Sequence, residues 1–153
     1  MIRLGSSEAT VALGKMAAPL FLPNAILALS GDLGAGKTTF VQGLASGLGI
    51  DAPVQSPTFV LLNEYPNEYS GSLDLFHFDL YRQKSGADFL GLGFDEYFDK
   101  GGICAIEWPE RIESLLPERT LFLSFSHQSQ GRVVSISGAF PDNLLESLLR
   151  LWP

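Results

Sequence analysis

The segment Gly31-Asp32-Leu33-Gly34-Ala35-Gly36-Lys37-Thr38 constrains this chain more than any other. It has the form glycine, four residues, Gly-Lys-Thr, and it stands between two runs of different period. Ala25 to Ser30 (AILALS) is short, apolar and bounded by Pro23 and Gly31, as a strand buried on both faces would be. From Thr38 onward, Phe40, Val41, Leu44, Ala45 and Leu48 fall on one helical stripe, and Gly49 stands where a C-cap would. Strand, glycine loop and helix together form a phosphate cradle. Loop N–H groups turn inward around phosphate oxygens, Lys37 supplies charge to β and γ phosphates, and Thr38 offers a hydroxyl to Mg²⁺. The helix points its N-terminal dipole at the same anion. From average composition, a chance match somewhere in such a chain has a probability of about one in two hundred, and the flanking elements lower it further.

A magnesium-triphosphate site also needs an acidic residue at the end of a neighbouring strand. Glu107 closes the apolar run Ile103 to Ile106, so a buried strand would deliver one carboxylate to the sheet edge where ligands bind in doubly wound folds. Asp79 ends an alternating segment with Phe76, Phe78 and Leu80, and Arg82 follows three residues later. Asp79 therefore reads either as a second site carboxylate or as half of a surface ion pair. Ser56-Pro57-Thr58 lies between the loop helix and the next strand, where nucleotide switches place a Thr or Ser that senses the γ-phosphate. An ordinary turn fits the same tripeptide. No Asn-Lys-x-Asp element is present, which favours adenine over guanine.

With 153 residues, 46% hydrophobic and 18% charged, the chain is expected to form one domain over residues 1–153. Ten Lys and Arg against seventeen Asp and Glu give a net charge of −7, which disfavours unaided nucleic-acid binding. One cysteine, Cys104, excludes Cys-based zinc sites and reads as packing, and His77 and His127 read as core or strand-end residues. Neither a secretion signal over Met1 to Glu8 nor a membrane span is expected, so the chain is read as cytoplasmic.

Ser7 reads as the N-cap of a first helix that ends before Pro23. Phe59 to Tyr65 and Leu73 to Leu80 read as strands of a hairpin around Pro66 to Gly71, and Ala87 to Phe98 as short helical turns. Ile103 to Trp108 reads as a strand, Glu110 to Leu116 as a short helix, and Thr120 to Ser126 with Val133 to Ala139 as strands. Asp142 would cap a last helix carrying Leu144, Leu145, Leu148, Leu149 and Trp152. This alternation predicts an α/β fold with a mixed sheet.

GDLGAGKTTF (Gly31 to Phe40), SPTF (Ser56 to Phe59), HFDLYR (His77 to Arg82) and EWPER (Glu107 to Arg111) resemble, in this order, motifs of the TsaE family, also called YjeE. GFDEYF (Gly93 to Phe98) is similar to the family's aromatic segment, and the resemblance runs roughly from Ser7 to Val134. It implies a P-loop NTPase-like three-layer α/β fold with a mixed, mainly parallel central sheet. It also implies an ATP- and Mg²⁺-dependent ATPase needed to make N6-threonylcarbamoyladenosine at position 37 of tRNAs reading codons that start with A. TsaB and TsaD would be its partners, and tRNA would be met only through their complex. By the same resemblance, Asp32, Leu33, Gly34, Ala35, Gly36, Lys37, Thr38 and Thr39 hold the nucleotide, and Thr38 and Glu107 hold Mg²⁺. Asp79 serves the metal's outer shell or the attacking water, Thr58 is the switch residue, and Thr10 and Arg132 lie near base and sugar. A small metabolite kinase and a non-hydrolysing interaction module are the alternatives. Arg82, Arg111, Arg119 and Arg132 are scattered, so neither a kinase lid nor an assured catalytic arginine is evident, and hydrolysis by the chain alone is expected to be slow.

Overall fold

A computed structural model describes residues 1–139 and 143–152. Its strands are β1 (Ile2–Leu4), β2 (Ile26–Ser30), β3 (Leu62–Tyr65), β4 (Leu75–Asp79), β5 (Ile103–Glu107), β6 (Thr120–His127) and β7 (Arg132–Gly138). Its helices are α1 (Ser7–Ala17), α2 (Lys37–Gly47), α3 (Gly86–Gly91) and α4 (Leu144–Leu151). The strands form one sheet in the order β1-β7-β6-β2-β5-β4-β3. β2 pairs parallel with β5 and β6, and β4 pairs parallel with β5. β3 and β7 run against their neighbours, and β1, antiparallel to β7, runs with the parallel set. The sheet is thus mixed and mainly parallel, as expected.

Alternation along the central strands sorts their side chains onto two faces. Leu27 and Leu29 of β2, with Ile103 and Ala105 of β5, pack with Leu13, Phe40, Leu44, Leu144 and Leu148 from α1, α2 and α4. Ile26, Phe76, Phe78, Cys104 and Ile106 form the opposite core with Phe89, Phe98 and Ile112. Helices on both faces make three layers. Phe94 and Tyr97 of the aromatic segment lie against the Phe78 ring, at centroid distances of 5.5 and 5.8 Å.

Several boundaries differ from the sequence reading. The N-cap of α1 is Ser6, whose extended backbone lets its hydroxyl accept from the Ala9 N–H at 3.1 Å, and Ser7 is the first helical residue. Phe59 to Leu61 form a turn, with Leu61 at φ 67°, so β3 starts at Leu62 and leaves Phe59 and Val60 exposed. The Ala87 to Phe98 stretch divides into α3 and a 3-10 turn, Phe94–Asp99, and the segment after β5 is 3-10 over Pro109–Leu115 with a kink at Ile112. β1 is too short for its alternation to be read. The capping reading of Asp142 lies outside the described residues, and α4 is preceded by Asn143.

α1 and α2 approach closely because Gly14 and Gly43 face the contact. A Cβ on Gly43 would stand 2.8 Å from the Val11 carbonyl carbon, and one on Gly14 would stand 2.8 Å from the Leu44 nitrogen. Gly43→Ala is therefore expected to lower stability by about 1–3 kcal/mol despite alanine's better helix propensity, measured as a lower urea midpoint. A midpoint equal to wild type would show that the helices can part without cost. Cys104 is buried with its thiol directed at the Tyr97 carbonyl, 3.4 Å away, and desolvation pushes its pKa up to about 12. At pH 8 it should resist iodoacetamide in the folded chain and react only after unfolding, as read by mass spectrometry.

Candidate functional site

β2 ends at Ser30 and the chain turns through the glycine loop into α2. Gly34 at φ 77° and Gly36 at φ 108° take left-handed conformations that a side chain would strain, and Gly36 is the N-cap of α2. Lys37 opens the helix, yet its side chain folds back so that Nζ donates to the carbonyls of Gly31 and Asp32, the latter at 3.0 Å. The same Nζ stands 4.5 Å from the Trp108 ring centroid. Burial pushes the Lys37 pKa down from the usual lysine range, against the pull of Glu107, Asp79, Glu110 and Asp32.

Parallel pairing brings the two acidic candidates abreast. Asp79 is the Cα partner of Glu107, and Glu107 is the partner of Leu29 on β2, so three strands end beside the loop. Glu107 accepts from Thr38 Oγ1 at 2.7 Å, joining β5 to the first turn of α2. Asp79 is buried; its Oδ2 accepts from Ser56 Oγ and from Thr58 Oγ1, the latter at 3.3 Å, and its Oδ1 accepts from the Tyr81 N–H at 3.0 Å. Arg82 stands over the Phe59 ring, 4.6 Å from its centroid, and makes no ion pair with Asp79 among the described residues. The Asp79–Arg82 surface pair left open by the sequence is absent because Asp79 turns inward to two hydroxyls.

These side chains enclose a cavity of about 300 Å³. Leu33, Gly34, Gly36, Lys37, Thr38, Thr39, Thr58, Asp79 and Glu107, all expected from the sequence, line it. Asp32 contributes its carbonyl to Lys37, and Ala35 packs in the core beneath the loop. Arg132, at the start of β7, has its guanidinium against Gly36, where a Cβ would stand 3.3 Å from Arg132 Cζ. Thr10 is not brought to the cavity: it is 0% exposed within α1, and its hydroxyl donates to the Ser6 carbonyl at 3.2 Å. Ser56, Tyr81 and Trp108 complete the lining, with the Tyr81 and Trp108 rings 5.0 Å apart. Tyr81 was not singled out in the sequence; its signal was its place two residues beyond Asp79, on the loop leaving a central strand.

The donor set is suited to a hard divalent cation and a polyphosphate. Thr38 and Glu107 offer oxygen ligands of the kind Mg²⁺ takes, while loop N–H groups, the α2 N-terminus and Lys37 offer what phosphate takes. The sequence profile described as "Threonylcarbamoyl adenosine biosynthesis protein TsaE" matches residues 4–134. The chain belongs to that family. Its relatives include the tRNA threonylcarbamoyladenosine biosynthesis protein TsaE of Bacillus subtilis (strain 168), 46% identical over 78% of this chain and 72% of that one. The protein of the same name from Treponema pallidum (strain Nichols) is 42% identical over 82% of this chain and 90% of that one. The crystal structure of Bacillus subtilis YdiB superposes with a TM-score of 0.81 at 37% identity, covering 98% of this chain and 93% of that one.

Because Lys37 is the one cationic side chain in the cavity lining among the described residues, Lys37→Ala should weaken ATP and ADP binding by at least about 100-fold, measured by calorimetry. Trp108, in contact with the same ammonium, should change fluorescence when nucleotide draws Lys37 away, and a saturating titration without a signal would contradict that coupling.

Proposed function

We propose that the chain is the ATP-binding, Mg²⁺-dependent and ATP-hydrolysing component of the machinery that makes N6-threonylcarbamoyladenosine at position 37 of tRNAs reading codons that start with A. It acts as one P-loop ATPase domain in the cytoplasm with TsaB and TsaD homologues, and meets tRNA only through them. Membership of the TsaE family supports the pathway. The observation that carries the ATPase reading is the Thr38–Glu107 hydrogen bond, which places a metal-type hydroxyl and a buried strand-end carboxylate together under a phosphate loop. Among the described residues no helix is long and apolar enough to cross a membrane.

Lys37 exchanges the neutral carbonyls of Gly31 and Asp32 for the β and γ phosphates, so its resting contacts hold it at the point of use. Thr38 and Glu107 would hold Mg²⁺, which would supply charge neutralisation for the phosphates. Asp79 orients the attacking water, and Ser56 and Thr58, bonded to it, tie the 55–61 segment to the state of the site. Arg82 is engaged with Phe59, and Arg132 lies beside Gly36 outside the cavity lining, so a transition-state arginine is missing from the cavity among the described residues. Partners therefore raise turnover by ordering the 55–61 segment or by adding charge.

Phosphate release should be slow for the chain alone and rise by about 10³-fold or more with purified TsaB and TsaD homologues, without any phosphoryl acceptor. Glu107→Ala should keep most nucleotide binding and lose hydrolysis by about 10²-fold or more. Asp79→Asn turnover equal to wild type would remove the role given to that carboxylate. Fast turnover alone, indifferent to partners, would overturn the proposal as a whole.

A further inference from the structure

His77 sits in the middle of β4, level with Ala105 of β5 and Asn63 of β3, and is 0% exposed. Period-two alternation puts it on the face that carries Leu75, Asp79, Ala105 and Glu107. Its Nε2 lies 3.0 Å from Glu107 Oε1, and its Nδ1 has no hydrogen-bond partner among the described residues. A proton on Nδ1 would be a buried donor without an acceptor, so the favoured tautomer carries it on Nε2 and donates to the carboxylate. A ring serving only to fill space in this layer would better be apolar, since Nδ1 is desolvated for no hydrogen bond. The bond to Glu107 is what a histidine adds at this position.

Both bonds to Glu107 converge on one oxygen. Oε1 accepts from Thr38 Oγ1 at 2.7 Å and from His77 Nε2 at 3.0 Å, and Oε2 takes neither. The two donors differ in permanence. Thr38 belongs to the loop–helix junction beside Lys37, whose contacts must change when phosphate arrives, whereas His77 is fixed inside a central strand. We infer that His77 is a positioning residue for Glu107: its Nε2–H holds the carboxylate beside Thr38 at the cavity wall, so that the pair is preorganised for a divalent cation. This rests on the Mg²⁺-dependent reading of the site. His77 is not itself among the residues lining the cavity, and the one lining side chain it bonds is Glu107, so it acts through that carboxylate.

Two variants separate positioning from packing. His77→Phe keeps the ring without the donor, and His77→Gln keeps an amide N–H within reach of the carboxylate. ATP and ADP affinities are measured by calorimetry in EDTA and across a Mg²⁺ titration, with thermal unfolding of each variant alongside. His77→Phe should bind nucleotide in EDTA within about twofold of wild type but need about 10- to 100-fold more Mg²⁺ for the metal-dependent change in affinity. His77→Gln should recover most of that loss. If phenylalanine prevents folding, His77→Leu takes its place under the same expectation. An unchanged Mg²⁺ requirement in the variant lacking the donor would overturn the inference. Equal losses in EDTA and in Mg²⁺, shared by the glutamine variant, would also overturn it by reducing His77 to packing. A wild-type chain indifferent to Mg²⁺ would instead remove the metal-dependent reading, and the inference with it.

Discussion

The hydrogen bond from Thr38 to Glu107 joins two parts of the molecule that are 69 residues apart in sequence. One end is the first turn of the helix leaving the phosphate loop, and the other is the last residue of a fully buried strand. A carboxylate at 3% exposure is costly unless donors reach it, so the loop and the sheet need each other in this geometry. Parallel pairing makes the meeting possible. β2, β5 and β4 lie side by side, so Ser30, Glu107 and Asp79 leave the sheet at the same edge.

Charge follows the same plan. The chain carries a net −7, yet the cavity holds Lys37 buried among Glu107 and Asp79, with Glu110 and Asp32 near enough to pull on its proton. Desolvation outweighs that pull, and the ammonium rests on two loop carbonyls and the face of Trp108. A phosphate chain would set opposite charge against this ammonium, on a molecule whose net charge is negative.

The rest of the fold supports the loop from behind. α2 can lie directly over the sheet because α1 packs on it through Gly14 and Gly43, where a methyl group would collide with backbone. Side chains on β2 and β5 then fill the space beneath. On the opposite face the Phe78, Phe89, Phe94 and Tyr97 rings close the second layer beneath the strand that ends in Asp79.

Local chemistry was legible wherever neighbours in sequence suffice. The glycine loop between an apolar run and a helical stripe determined strand, turn and helix, because positive φ, helix periodicity and a buried run are short-range properties. The hairpin of β3 and β4 and the strand ending in Glu107 were read for the same reason. Tertiary structure decided what depends on register and on partners far away. It turned Asp79 inward to Ser56 and Thr58 and sent Arg82 to Phe59, an outcome that i to i+3 spacing cannot choose. It ended the hairpin arm at Leu62 by taking Leu61 to positive φ, and it withheld Thr10 from the cavity by burying it in α1. Most of all, it set His77 beside Glu107, since only the pairing of β4 with β5 reveals that these residues, 30 apart, share one face of the sheet.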